Sequence, residues 1–375
     1  MSSLIALSLL IHTSVAAAPP AGGANEKVVD KTRIQALMDQ VGDDLLRVET
    51  DHYVVLYDGG SIFAKSRARI AERTAESFHE TFAALGVTLR PIETKLLMLV
   101  FRDKKRYVGY AERVGYDAEK IDAFYTIEDD VVVLFDSQTD GDYRKLARLI
   151  DASRANMAQV RDQLRRIKDR NAVVELRVEG RPPQTMTRRQ LAHRLSRDTR
   201  TLESNERALT RLAGRENASK TRHEAAHQLA IHTGVQPKSY FNPFWLTEGL
   251  ACQFEIRLSA SARERDAFPR DRLEGFRVSR QGAHFRPLAE LLTASMSTDM
   301  AEEELLSLYS QAWALFYYLR VKRPEPLASY LASLTAKPHT ADTTAAERVR
   351  RFQTHFTEDL ERIDREYIAY VESLR

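Results

Sequence analysis

Between residues 219 and 255 the chain reads SKTRHEAAHQLAIHTGVQPKSYFNPFWLTEGLACQFE, and no other stretch restricts its folding as strongly. His223 and His227 stand four apart, with Glu224 directly after the first. On a helix, residues four apart share a face one turn from each other, so both imidazoles can address a single ion. Ala225, Ala226, Leu229, Ala230 and Ile231 supply a helix-forming, mostly apolar setting, and Gly234 marks a stop. Asn242 and Pro243 then open a second helix that carries Glu248. Two imidazoles and one carboxylate are an established ligand set for a zinc ion that does chemistry, because they leave one position open. Glu248 is therefore the expected third ligand. Glu224, roughly 100° around the helix from His223, is placed to act as a general base rather than as a ligand.

HEAAHQ followed by PFWLTEGLACQFE resembles the gluzincin metallopeptidases, the thermolysin-like superfamily with HExxH on one helix and a glutamate ligand on the next. More narrowly, it is similar to the peptidase-MA-like domains of bacterial exported proteins. Their hallmark is HE-x-x-H, then W-L-x-E-G-x-A, then a helix containing a tyrosine, which YSQAWALF at 309–316 fits. The resemblance runs from about residue 54 to the C-terminus, with an interruption. It implies Zn2+ as cofactor and hydrolytic chemistry without naming the substrate; a peptide or protein substrate is the expectation, with another amide or ester as an alternative. It also implies a donor from the C-terminal half for the oxyanion. Tyr309 is the candidate by its match, with Tyr317, Tyr318, His232 and His284 as alternatives. A further implication is a sheet ahead of the metal helix whose edge strand pairs with extended substrate. Val131, Val132 and Val133 are the substrate-binding residues expected on that ground.

On the second helix Glu248, Cys252 and Glu255 share a face. Glu255 either accepts a hydrogen bond from the far nitrogen of a ligand histidine, orienting it, or lies on the helix surface. Cys252 suits small buried packing. As the only cysteine, it excludes an intramolecular disulfide.

The rest of the chain reads as α+β: a small mixed sheet, then a mainly helical half. Residues 4–15 form an apolar run too short to span a membrane and are followed by Ala16-Ala17-Ala18, so 1–18 is expected to be a signal peptide and the protein to be exported, periplasmic or secreted. Residues 19–50 read as linker and a short helix, and 51–137 alternate strand and helix, with strands at 52–57, 95–101 and 130–136. Residues 138–216 carry apolar positions spaced by three and four on two flanks of a Pro-containing tip, the pattern of an antiparallel helical hairpin. This insertion departs from the compact thermolysin pattern. Arg and Lys outnumber Asp and Glu there by about two to one, which suits either a solvated coiled-coil insertion that packs on its own enzyme or an arm that docks on an acidic partner. Residues 217–375 hold the metal-site helices and a helical C-terminal part, with helices expected at 288–292, 302–320, 326–334 and 344–374.

A net charge of +3 on 375 residues gives no electrostatic ground for nucleic-acid binding. The expected activity is that of a zinc metallopeptidase. The alternative is a metal-bearing envelope protein without catalysis, whose basic hairpin does the binding. Glu224 separates the two, because a structural site needs no general base.

Overall fold

LLMLVF at Leu96–Phe101 is apolar and buried at every position. That is the signature of a strand covered on both faces, not of one that faces water. The computed structural model describes residues 27–118, 121–176, 183–256, 267–297 and 299–375. The expected signal peptide lies outside the described residues. Helix α1 (Lys31–Val41) leads into β1 (Leu46–Glu49), β2 (Tyr53–Tyr57), α2 (Ser61–Ala84), β3 (Leu96–Phe101), α3 (Lys104–Arg113), β4 (Ala123–Thr126) and β5 (Val131–Phe135). These strands form one five-stranded sheet in the order β1-β2-β3-β5-β4. The central strands β2, β3 and β5 are parallel, and the outer two pair antiparallel with their neighbours.

Alternation along the strands separates two cores. Val54, Leu56, Leu97, Leu99, Val131, Val133 and Phe135 face α1 and α3. Val55, Met98, Val100, Val132 and Leu134 face α2 and the helical half. The fold class is therefore α+β with a small mixed sheet, as the sequence predicts.

The strand order corrects the expectation for Val131, Val132 and Val133. They belong to β5, which is hydrogen-bonded to β3 on one side and β4 on the other and is fully buried. No backbone edge is left there for a substrate. The edge on that side of the sheet is β4, whose sequence AFYT is only four residues long.

After a 3-10 turn (Ser137–Thr139) come α4 (Gly141–Arg166), the small antiparallel pair β6 (Val173–Leu176) and β7 (Gln184–Thr187), and α5 (Arg188–His232). The helical hairpin is present, with a β element at its tip. Its second arm does not stop at residue 216, however. Helix α5 runs unbroken for 45 residues from a Thr187 capping box to His232, so hairpin arm and metal helix are one rod. The hairpin has a small core of its own, Leu164, Leu191 and Leu195, whereas Leu146, Leu149 and Leu212 along its length are exposed. At its base Asn217 binds back to the body, with Oδ1 accepting from Ser137 N at 2.9 Å and Nδ2 donating to Asp136 at 2.9 Å. Replacing 143–213 by a short linker is therefore expected to leave a folded body that melts within a few degrees of the full chain. Loss of the cooperative thermal transition, followed by circular dichroism, would show instead that the arm belongs to the core.

The helical half comprises α6 (Phe244–Gln253), α7 (Arg270–Gln281), α8 (Leu288–Leu291), α9 (Glu302–Lys322), α10 (Pro324–Ala336), α11 (Ala345–His355) and α12 (Leu360–Glu372). Helix α9 is buried along most of its length and is the hub against which α6, α7, α10 and α12 pack. The helix expected across 344–374 is broken at Phe356, and α12 restarts where the Asp359 carboxylate accepts Arg362 N at 2.9 Å. Among the described residues no helix is long and apolar enough to cross a membrane.

Candidate metal centre

Helix α5 crosses the sheet and is pinned there by side chains beyond the motif. Gln228 Nε2 donates to Leu97 O at 3.2 Å and Asp130 O at 3.0 Å, and His232 Nε2 lies 2.9 Å from the Asp130 carboxylate. Asp130 sits at φ +50° in the β4–β5 turn and also accepts from Tyr125 Oη at 2.8 Å. The last turns of α5 are thus fixed in rotation, and His223 and His227 face α6.

Helix α6 brings the third group. Glu248 Oε2 lies 3.1 Å from His223 Nε2 and 3.5 Å from His227 Nε2. A tetrahedral ion with bonds of about 2.0–2.1 Å needs ligand atoms about 3.3 Å apart, so these separations fit one. The donor set of two imidazole nitrogens and one carboxylate oxygen is buried or nearly so, and it can hold a metal ion. Burial pushes the Glu248 carboxyl up, but His227 and His223 outweigh it and keep it ionised, well below the usual carboxylate range.

Close approach of α6 to the hub depends on Gly249, the residue after Glu248. A Cβ there would lie 2.4 Å from Ala312 O and 2.9 Å from Phe316 Cβ on α9. The glycine of the WLTEG segment is a packing requirement.

Glu255 takes the orienting position. Its Oε1 lies 3.1 Å from His223 Nδ1, on the far side of the ring from Glu248. Arg272, at the start of α7, grips the same carboxylate with both Nε, 2.9 Å from Oε2, and Nη2 on Oε1. Burial raises the Glu255 carboxyl, but the Arg272 charge and the His223 hydrogen bond bring it down to about 2. The Arg272 guanidinium also lies 5.3 Å from the Tyr309 ring centre. His223, Cys252 and Glu255 form a second cluster of potential donors. It is not a second metal site, because both Glu255 oxygens are committed to Arg272. Burial also pushes the Cys252 thiol up to about 11 and keeps it protonated. Replacing Glu255 by glutamine is expected to weaken metal affinity by about 10- to 100-fold without removing a ligand. Competition with a chromogenic chelator measures this, and unchanged affinity would make Glu255 a partner of Arg272 alone.

Glu224 is 9% exposed, and the backbone of Tyr125 on β4 lies near enough to its carboxylate to favour the charged form slightly. Burial raises its carboxyl above the ordinary value, against the pull of His223 and His227. Tyr309 stands across from it on α9, with its ring 6.4 Å from that of His223 and 5.2 Å from that of Phe244. Burial, then the nearby Glu248 carboxylate, raises its phenol well above the ordinary value, so it remains an O–H donor.

The alternatives to Tyr309 lie elsewhere, His284 being exposed and away from the cleft. His232 is held by Asp130, Tyr318 bonds to Glu366 at 2.7 Å, and Tyr317 stacks on Trp313 and Tyr370. All the site residues open on one cleft of about 2250 Å³, walled by β4, α5, α6, the start of α7 and α9. Val131, Val132 and Val133 are not on it, whereas Ala123, Phe124 and Tyr125 are. Arg272 was not legible as a site residue, because its segment RDRLEGFRVSR reads as a solvated charged helix.

A family described as a protein of unknown function, DUF1570, matches residues 217–340, about a third of the chain. The matched stretch starts at Asn217, where α5 leaves the hairpin, and holds both ligand helices, Glu255, Arg272 and Tyr309. Comparison with curated proteins gave no match.

Proposed function

We propose that the protein is a zinc-dependent metallohydrolase, and specifically a peptidase. The observation that carries this reading is the convergence of His223 Nε2, His227 Nε2 and Glu248 Oε2 in an open cleft, beside a further buried carboxyl, Glu224. A structural zinc site is closed by a fourth protein ligand and has no use for such a group. Nitrogen and carboxylate donors at these separations suit zinc, which when bound supplies Lewis acidity toward a scissile carbonyl and toward water.

The chain's own groups then divide the remaining work. Glu224 accepts the proton of the attacking water and returns it to the leaving nitrogen. Its raised proton affinity brings it nearer to that task than a solvated glutamate would be. Tyr309, kept protonated, donates to the developing oxyanion, a contact worth about 3 kcal/mol in comparable sites. Glu255, braced by Arg272, fixes the tautomer and ring plane of His223 so that Nε2 faces inward. The edge strand β4, rather than β5, offers backbone groups to an extended peptide on the cleft side.

The test is a peptide library incubated with the zinc-loaded chain and read by mass spectrometry for new termini. Cleavage that 1,10-phenanthroline stops and added zinc restores is expected. Intact library peptides after prolonged incubation at stoichiometric protein would contradict the peptidase reading.

A further inference from the structure

The hairpin carries a feature that the metal centre does not use. Residues 138–216 hold 19 Lys and Arg against 11 Asp and Glu, a net +8, which leaves −5 on the rest of a chain whose total is +3. Nearly all of this excess is distal, since residues 161–200 hold 12 basic against 5 acidic side chains, a net +7. With 26 residues in α4, the charge sits on an arm roughly 40 Å long. A helical arm that only needed solubility would mix both signs along its length.

Part of this charge lines a groove of about 410 Å³ between α4 and α5. Its floor is apolar, made by Leu164, Ala192 and Leu195, and its walls carry Arg161, Arg165, Arg188 and Arg200. Several of these guanidinia are held in place by neutral partners. Arg188 Nε donates to Leu164 O at 3.0 Å, Arg200 Nε to Ser196 O at 3.3 Å, and Arg161 Nη2 to Thr199 Oγ1 at 3.0 Å. Only Arg165 has a carboxylate partner among the described residues, Asp162 at 3.2 Å. Arg161 and Arg200 are exposed and Arg188 half-buried, and none of the three has a carboxylate partner among the described residues, so their charges remain open to an anion from solution. A single carboxylate has two oxygens and one charge, which one guanidinium fork satisfies. A phosphate, with up to two charges and more acceptor oxygens, matches several forks at once.

We infer that the groove at the hairpin tip, walled by Arg161, Arg188 and Arg200, is a binding site for phosphate groups, remote from the metal centre. A phospholipid headgroup and a soluble polyphosphate present the same chemistry. The apolar floor suits the glycerol side of a lipid, and the projecting arm suits a surface.

Two variants of the full chain separate a site from mere charge. Arg161→Gln/Arg200→Gln removes two groove guanidinia. Arg189→Gln/Arg197→Gln removes the same charge from exposed positions that do not line the groove. Binding is read by co-sedimentation with phosphatidylglycerol vesicles, with phosphatidylcholine vesicles as blank, and by calorimetric titration with inorganic pyrophosphate. Unchanged circular dichroism confirms that both variants fold. Binding in either arm that falls by about tenfold or more in the groove variant, and by less than about threefold in the other, supports the site. The arm that binds names the source. Equal losses in the two variants, or no binding to either probe, overturn it. Binding of poly-glutamate with the same variant pattern and no response to either phosphate probe would also overturn it, in favour of an acidic protein partner.

Discussion

Glutamine in place of Glu224 is expected to lower kcat by about 10²- to 10⁴-fold while the chain keeps its full metal content. The two effects separate because Glu224 is not among the atoms that converge on the ion position. Glutamine preserves the side-chain volume and leaves a carbonyl oxygen in the same place, so the cleft wall should not move. What it loses is the ability to take a proton. The carboxyl is buried and its proton affinity raised, so its replacement by a neutral amide should not lower thermal stability. KM should change little, because the proton transfer belongs to the transition state. Undiminished turnover in Glu224→Gln would remove the base from the proposed mechanism, and loss of metal would show that Glu224 helps to hold the ion.

Alanine in place of Gly249 should damage fold and site together. The added methyl would meet the Ala312 carbonyl oxygen at 2.4 Å and Phe316 Cβ at 2.9 Å, both on the buried face of α9. Neither neighbour is the free end of a flexible side chain, so α6 and α9 must part. Overpacking of a buried contact costs typically 1–3 kcal/mol, and a backbone clash belongs at the upper end, about 3 kcal/mol. Glu248 adjoins the clash, so the same displacement carries the third ligand away from the histidines. Both a lower melting temperature of the metal-free protein and weaker zinc binding are expected. A variant that melts and binds like the wild type would mean that the two helices do not approach as closely as described.

The clustering of His223, His227 and Glu248 was legible because its information is local. A spacing of four on a helix fixes two side chains on one face whatever the rest of the chain does, and the WLTEG segment supplied Glu248. The same periodicity placed Cys252 on the face of Glu248, whereas Glu255 reaches His223 from the turn after α6, which ends at Gln253, and not from the helix. Strand order is not local. Val131–Phe135 and the true edge strand Ala123–Thr126 are both apolar, and only the pairing of β5 with β3 decides which of them is covered.

Arg272 escaped for a related reason. Its charge is compensated by Glu255, 17 residues earlier in sequence and on another element, and no periodicity encodes such a pair. The continuity of α5 was hidden by Ala213-Gly214, which interrupts the apolar spacing between hairpin and metal helix although the backbone remains helical. The break between α11 and α12 did leave a signal in Asp359, a good N-cap, but the strong amphipathic pattern on either side masked it.

The most direct test of the central claim is metal content per chain, by elemental mass spectrometry, on the wild type and on Glu248→Ala after zinc supplementation and dialysis. The three-ligand site predicts about one zinc in the wild type and much less in the variant. No zinc in the wild type, or equal zinc in both, would contradict it.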